Sequence, residues 1–166
     1  MKKLENLTDI KPPIIPTCNP FENRQRADAA IKFVEKYNLP KKCIISGLGP
    51  GKGELDFKHK DLYNYMMEKG FLICLEDTSL NSIENILESF RDGIEGEFPI
   101  PSYPLHLMRF KRIVKDAKKA GKISKNVDII PIPTKQYMRW IPHEIMSNVK
   151  YYIKGKRKYF GKSKNE

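Results

Sequence analysis

The chain is poor in cysteine, histidine and tryptophan and has no long hydrophobic run, and each shortage closes a class of explanation. Cys18, Cys43 and Cys74 are its only cysteines, an odd number without any CxxC, which fits neither a disulfide framework nor a zinc site. Unpaired thiols suit a reducing cytoplasm, and that is the expected location. The three histidines show no HExxH or other ligand spacing, so no metal centre is predicted. No window approaches the roughly 18 to 20 uninterrupted apolar residues of a membrane span. The basic start Met1-Lys-Lys-Leu has no apolar stretch behind it, as a signal peptide would, so a chain without a membrane span is expected. With 10 Gly and 12 Pro among 166 residues, and 40% hydrophobic residues, the composition is neither collagen-like nor disordered. A chain of about 150 residues buries roughly 70% of its unfolded surface, enough for one core without a covalent staple.

What the chain has in excess is positive charge, and it is unevenly placed. The net charge is +11, yet residues 71–100 carry one basic and seven acidic side chains, while residues 150–166 carry seven basic and one acidic. The expected organisation is an extension over residues 1–12, one α/β domain over residues 13–153, and a basic tail over residues 154–166. That tail reads either as a solvated end or as an arm for nucleic acid.

Short apolar runs alternate with longer amphipathic ones. Strands are expected at residues 13–18, 43–46, 71–76, 98–102 and 127–132, and helices at residues 24–37, 54–69, 81–90, 104–120 and 135–153. The run Phe71-Leu-Ile-Cys-Leu-Glu is unbroken, as in a strand covered on both faces. Asn81, with Glu84 three residues on, marks a helix start. The alternation implies βαβ units, and hence a single three-layer Rossmann-like domain: a mostly parallel five-stranded sheet with helices on both faces. Ligands in such sheets bind beyond the carboxyl ends of the strands, which selects Cys18 and Asn19, residues 46–53, residues 76–81 and residues 102–109 as one cleft.

Within those segments, Ser46-Gly-Leu-Gly-Pro-Gly-Lys-Gly follows a strand and precedes a helix, where backbone N–H groups can cradle an anion. It matches neither the Walker spacing nor GxGxxG, so it reads either as an anion loop through Gly47 and Gly49 or as a plain glycine turn. Glu76 ends an apolar strand, where a carboxylate needs a partner or a cleft. His106 and Arg109, three apart near a helix start, pair a proton shuttle with a forked anion binder. On their own they also read as surface decoration. His59 and His143 read as structural or exposed.

Three segments in this order resemble the YdcF-like family: Ile44-Ile-Ser-Gly; Glu76-Asp-Thr-Ser-Leu-Asn-Ser-Ile-Glu-Asn, similar to that family's Glu-x-x-Ser-x-Asn-Thr-x-Glu-Asn; and Ser102-Tyr-Pro-Leu-His-Leu-Met-Arg, similar to its Ser-x-x-x-His-x-x-Arg. Arg26-Ala-Asp-Ala-Ala also resembles its first helix. Leu48 stands where the family has its second glycine, and Ser82 stands in place of threonine. The resemblance implies a Rossmann-like fold and a polar pocket of Ser46, Gly47, Glu76, Ser79, Asn81, Asn85, His106 and Arg109, with Glu84 behind it.

The expected function is an enzyme, a hydrolase or transferase, acting on a small anionic ligand that is nucleotide-like or a sugar phosphate. Arg109, the residue 47–53 loop with Gly49, and the helix start near Ser102 hold the anion in this reading. His106 is the general acid or base, and Glu76 orients His106, binds a hydroxyl or activates water. The alternative is a binding module that senses an adenosine-type metabolite or cofactor, or a basic protein that binds nucleic acid through its tail.

Overall fold

The computed structural model describes residues 10–17, 20–47, 57–76, 78–79, 81–90, 94–135 and 141–161. The expected sites at Cys18, Asn19 and Gly49, and most of the glycine loop, lie outside them.

Strands β1 (Ile14–Pro16), β2 (Lys42–Ser46) and β3 (Leu72–Glu76) pair in parallel in the order β1-β2-β3, and β4 (Gly96–Ser102) pairs in parallel with β5 (Val127–Pro133). Ahead of β1, Ile10 makes an isolated parallel bridge to Glu97, and the Lys11 N–H donates to the Glu97 carbonyl at 2.9 Å. Helices α1 (Pro20–Lys36), α2 (Phe57–Glu68), α3 (Ser82–Ser89) and α4 (Pro104–Lys119) alternate with the strands. The chain is therefore α/β with two small parallel sheets.

Strand alternation explains how the helices are held. Adjacent residues of a strand point to opposite faces, and Ile14 packs with Ile83, Ile86 and Phe110 of α3 and α4, whereas Ile15 packs with Ala27, Ala30 and Val34 of α1 and Met66 of α2. β1 is thus covered on both sides. Asn81 caps α3 as expected, its Oδ1 accepting from the N–H groups of Ile83 and Glu84. Pro104 occupies the first turn of α4, where no donor is needed, and Tyr103 before it makes no side-chain cap.

Two expectations need correction. β3 is not covered on both faces: Leu72 is 66% and Leu75 38% exposed. Among the described residues it pairs only with β2 and ends that sheet, so its continuous apolar run lies at an edge there. The last helix, expected over residues 135–153, falls partly outside the described residues (136–140), and from Ile141 it is not a uniform α-helix. α5 (Ile141–Lys150) widens into a π-helical turn (Tyr151–Gly155) and continues as α6 (Lys156–Phe160). Residues 156–160, expected as part of a solvated tail, are helical because their aromatics have partners. Tyr159 and Phe160 pack against the α3–α4 core, and the Tyr159 hydroxyl donates to Glu84 Oε1 at 2.6 Å. The Tyr151 hydroxyl ties the π-turn to Asp116 of α4.

Candidate functional site

The carboxyl ends of three strands present Ser46, Glu76 and Ser102, and the two helices that follow β3 and β4 begin beside them. Two polar clusters form there.

The first surrounds Glu76. Its Oε2 accepts from Ser46 Oγ at 2.8 Å and from the Gly47 N–H at 3.2 Å; its Oε1 accepts from the Thr78 N–H and hydroxyl at 2.9 and 2.7 Å and from the Ser79 N–H at 3.0 Å. Partial burial raises the pKa of this carboxyl, but the hydrogen bonds from Ser79, Thr78 and Ser46 outweigh it and hold Glu76 below the usual carboxylate range. The carboxylate thereby fixes the turn after β3 to the end of β2. Gly47 has φ +91°, and a Cβ there would stand 2.9 Å from Asn85 Nδ2 and 3.1 Å from Thr17 Oγ1, so the site requires glycine for both conformation and space. Ser79 Oγ and Asn85 Oδ1 are buried without a hydrogen-bond partner among the described residues.

The second cluster surrounds His106, which is buried and not on the surface. Phe110 stacks on its ring at 4.2 Å. Nδ1 lies 2.9 Å from Ser102 Oγ, and Nε2 lies 3.0 Å from Ser82 Oγ. Burial first, then the charges of Arg109 and Arg26, push the imidazole pKa well below 6.5, so the ring is neutral at neutral pH. Arg109 donates from Nη2 to Ser82 Oγ at 3.1 Å and faces Glu144 of α5 as an ion pair, Nη1 to Oε2 at 2.9 Å, without an aligned hydrogen bond between those two atoms. Burial lowers the Arg109 pKa, and the Glu144 charge opposes that. The Tyr103 hydroxyl donates to Glu144 Oε1 at 2.8 Å. On the opposite side Arg26 of α1 donates to the Pro16 carbonyl, lies 3.5 Å from His106 Nδ1 and pairs with Glu22 at 3.5 Å. The Nε atoms of both arginines are buried without a partner among the described residues.

The structure therefore brings Ser46, Gly47, Glu76, Ser79 and Asn85 together in one cluster, and Ser102, His106 and Arg109 in the other. α3 links them, contributing Asn85 to the first and Ser82 to the second. Asn81 stands apart from both as the helix cap, its Nδ2 donating to the Tyr159 hydroxyl at 3.2 Å. No hydrogen bond or ion pair joins Glu76 to His106 among the described residues; two serines orient that ring.

Arg26, Glu22, Tyr103, Ser82 and Glu144 are members that sequence reasoning did not assign to the site. For Glu22 and Arg26 a signal existed, since they precede Ala30 at four-residue intervals and so place two charges on a row of the buried helix face. Glu144 gives no local signal, because its partner is 35 residues away.

Among the described residues no group of three or more His, Cys, Asp or Glu side chains could hold a metal ion, and no helix is long and apolar enough to cross a membrane. No family model, no curated protein and no solved structure matches the chain.

Proposed function

We propose that this chain is a YdcF-like protein that binds a phosphorylated or nucleotide-like ligand beyond its strand ends and acts on it by hydrolysis or group transfer. The observation that carries this reading is His106. It is a neutral imidazole held between two hydroxyls and flanked by two guanidinium groups, each with a buried Nε–H that has no partner among the described residues. A neutral imidazole has its lone pair open to a proton, and it is a weaker base here until an anion offsets the arginine charges that add to burial in holding its pKa down. Guanidinium donors recognise phosphate oxygens. In this reading His106 is the general base, Arg109 and Arg26 face the anion, and Glu76 holds the loop that completes the pocket with Ser79 and Asn85. Both arginines are already matched by carboxylates, which favours a ligand with one anionic group over a polyphosphate. The Ile10–Glu97 bridge supports joining the two sheets as β3-β2-β1-β4-β5 in a single three-layer Rossmann-like domain, with the pocket at its switch point.

Native mass spectrometry of the purified protein, followed by a thermal-shift panel of nucleotides, S-adenosyl compounds and sugar phosphates, tests this. A true ligand at 100 times its dissociation constant stabilises the fold by about 2.7 kcal/mol. His106→Ala should keep binding and lose turnover. A variant that turns the ligand over as fast as the parent removes His106 from the chemistry, and binding without turnover in the parent leaves a sensing module for an adenosine-type metabolite.

A further inference from the structure

Resting on that reading, we propose that Ser82 is a nucleophile whose hydroxyl is activated by His106, and that a phosphomonoester is cleaved through a phosphoserine at this position. Ser82 opens α3 but does not cap it: Asn81 already accepts from the first free N–H groups of the helix. The Ser82 hydroxyl is instead directed at α4, where it meets His106 Nε2 at 3.0 Å and Arg109 Nη2 at 3.1 Å.

Arg109 has no acceptor, so Ser82 Oγ accepts from it. The one Ser82 proton is then free to point at Nε2, and the proposal uses the tautomer with the imidazole hydrogen on Nδ1, facing Ser102 Oγ at 2.9 Å. Arg26, 3.5 Å from Nδ1, is at the limit of a hydrogen bond and does not displace that contact. Ser102 is fully buried, whereas Ser82 keeps part of its surface exposed, so we assign Ser82 as the reacting hydroxyl and Ser102 as the positioning residue. An activated serine beside an imidazole, itself held by a third group, is the arrangement that nucleophilic catalysis requires.

In the first step the Ser82 Oγ–P bond forms as the bond from phosphorus to the leaving oxygen breaks. The Ser82 proton passes to His106 Nε2 and on to the leaving oxygen. Arg109 stabilises charge on the phosphoryl oxygens. In the second step water attacks phosphorus, the Oγ–P bond breaks, one water proton returns through His106 to Ser82 Oγ, and inorganic phosphate leaves.

The test uses diisopropyl fluorophosphate, which phosphorylates an activated serine with loss of fluoride, read by intact-mass and peptide mass spectrometry. One adduct mapped to Ser82 is expected in the parent, none in Ser82→Ala, and at least a tenfold slower reaction in His106→Gln, with Ser82→Thr retaining reaction as the conservative variant. Labelling should also hold at pH 6.5, where a free histidine is half protonated, because burial and the charges of Arg109 and Arg26 hold the His106 pKa below that value. Far-UV circular dichroism and melting of each variant separate lost chemistry from lost fold. An adduct elsewhere, no adduct in the folded parent, or equal labelling of Ser82→Ala overturns the proposal. If the phosphorylated panel stabilises a parent that forms no adduct, the nucleophile fails and the binding reading stands. If Ser82 is labelled but no phosphorylated ligand binds, the ligand reading fails alone.

Discussion

Glu76 and His106 stand at the ends of neighbouring parts of the same fold, yet their surroundings push them to opposite uses. Around Glu76 both carboxylate oxygens meet donors, two hydroxyls and three backbone N–H groups, so the carboxylate is ionised and locked. Around His106 the partners are two hydroxyls that can each give or take a hydrogen, and the charges behind them are arginines that leave Nε unsatisfied. A saturated group holds a loop, whereas a group with exchangeable partners can move a proton. The difference teaches that a carboxylate at a strand end is not by itself a catalytic signal. What its hydrogen-bond partners can exchange decides the role.

The sharpest way to break this contrast is to remove a charge from the His106 side. Glu144 is almost fully buried and is the carboxylate that faces Arg109 at 2.9 Å. Glu144→Ala leaves a buried guanidinium without its counter-charge and should cost about 3 to 5 kcal/mol, read as a lower urea midpoint. Glu144→Gln keeps the volume and one acceptor and should cost less. If Glu144→Ala melts with the parent, the pair is not what holds Arg109, and the geometry around Ser82 has another source.

A pH titration of stability separates the two clusters directly. His106 has a folded pKa below 6.5, so the folded state binds fewer protons than the unfolded chain as pH falls below that value. The stability owed to its neutrality is complete above pH 6.5 and is lost as pH falls towards the lowered folded pKa, at no more than about 1.4 kcal/mol per pH unit. Arg109, Arg26 and His143 bear on the ring and strengthen this loss. Glu76 acts lower: its folded pKa lies below 4.5, so its contribution is complete above that value and fades only as pH falls through the folded pKa. His106→Gln should flatten the upper part of the curve and leave the lower part; Glu76→Gln should do the reverse. Identical curves for the two variants would mean that the clusters are not independent.

Much of this arrangement was legible in the sequence, and the gaps have physical causes. The five strands announce themselves as short apolar runs, and β4 and β5 keep theirs despite Pro99, Pro101, Pro131 and Pro133. Helical spacing puts His106 and Arg109 on one face of α4, a pattern that fits a surface pair equally well. Their burial was not readable, since it depends on α1 bringing Arg26 to His106 and α5 bringing Glu144 to Arg109. β3 misled because an apolar run reports hydrophobicity and not the number of neighbours a strand will have. The end of the chain misled because its lysines read as solvent-facing, while the contacts that fold it, Tyr159 to Glu84 and Tyr151 to Asp116, join residues 75 and 35 positions apart. Local pattern carries local structure; pairs distant in sequence carry the site.

The finest comparison uses one serine from each cluster. Ser46→Ala removes one of the hydroxyls on Glu76, but the carboxylate keeps its bonds to Gly47, Thr78 and Ser79. The loss should be about 1 kcal/mol, the net value of a single hydrogen bond. Ser102→Ala is not equivalent, because it leaves Nδ1 of a buried imidazole with only the long contact to Arg26. That contact favours the opposite tautomer, with the hydrogen on Nε2, where it can no longer accept the Ser82 proton. Ser102→Ala should therefore lower the fluorophosphate labelling rate of Ser82 out of proportion to its effect on melting, while Ser46→Ala should shift melting slightly and leave labelling unchanged. Equal effects of the two on labelling would place Glu76 in the chemistry after all and erase the distinction between the two clusters.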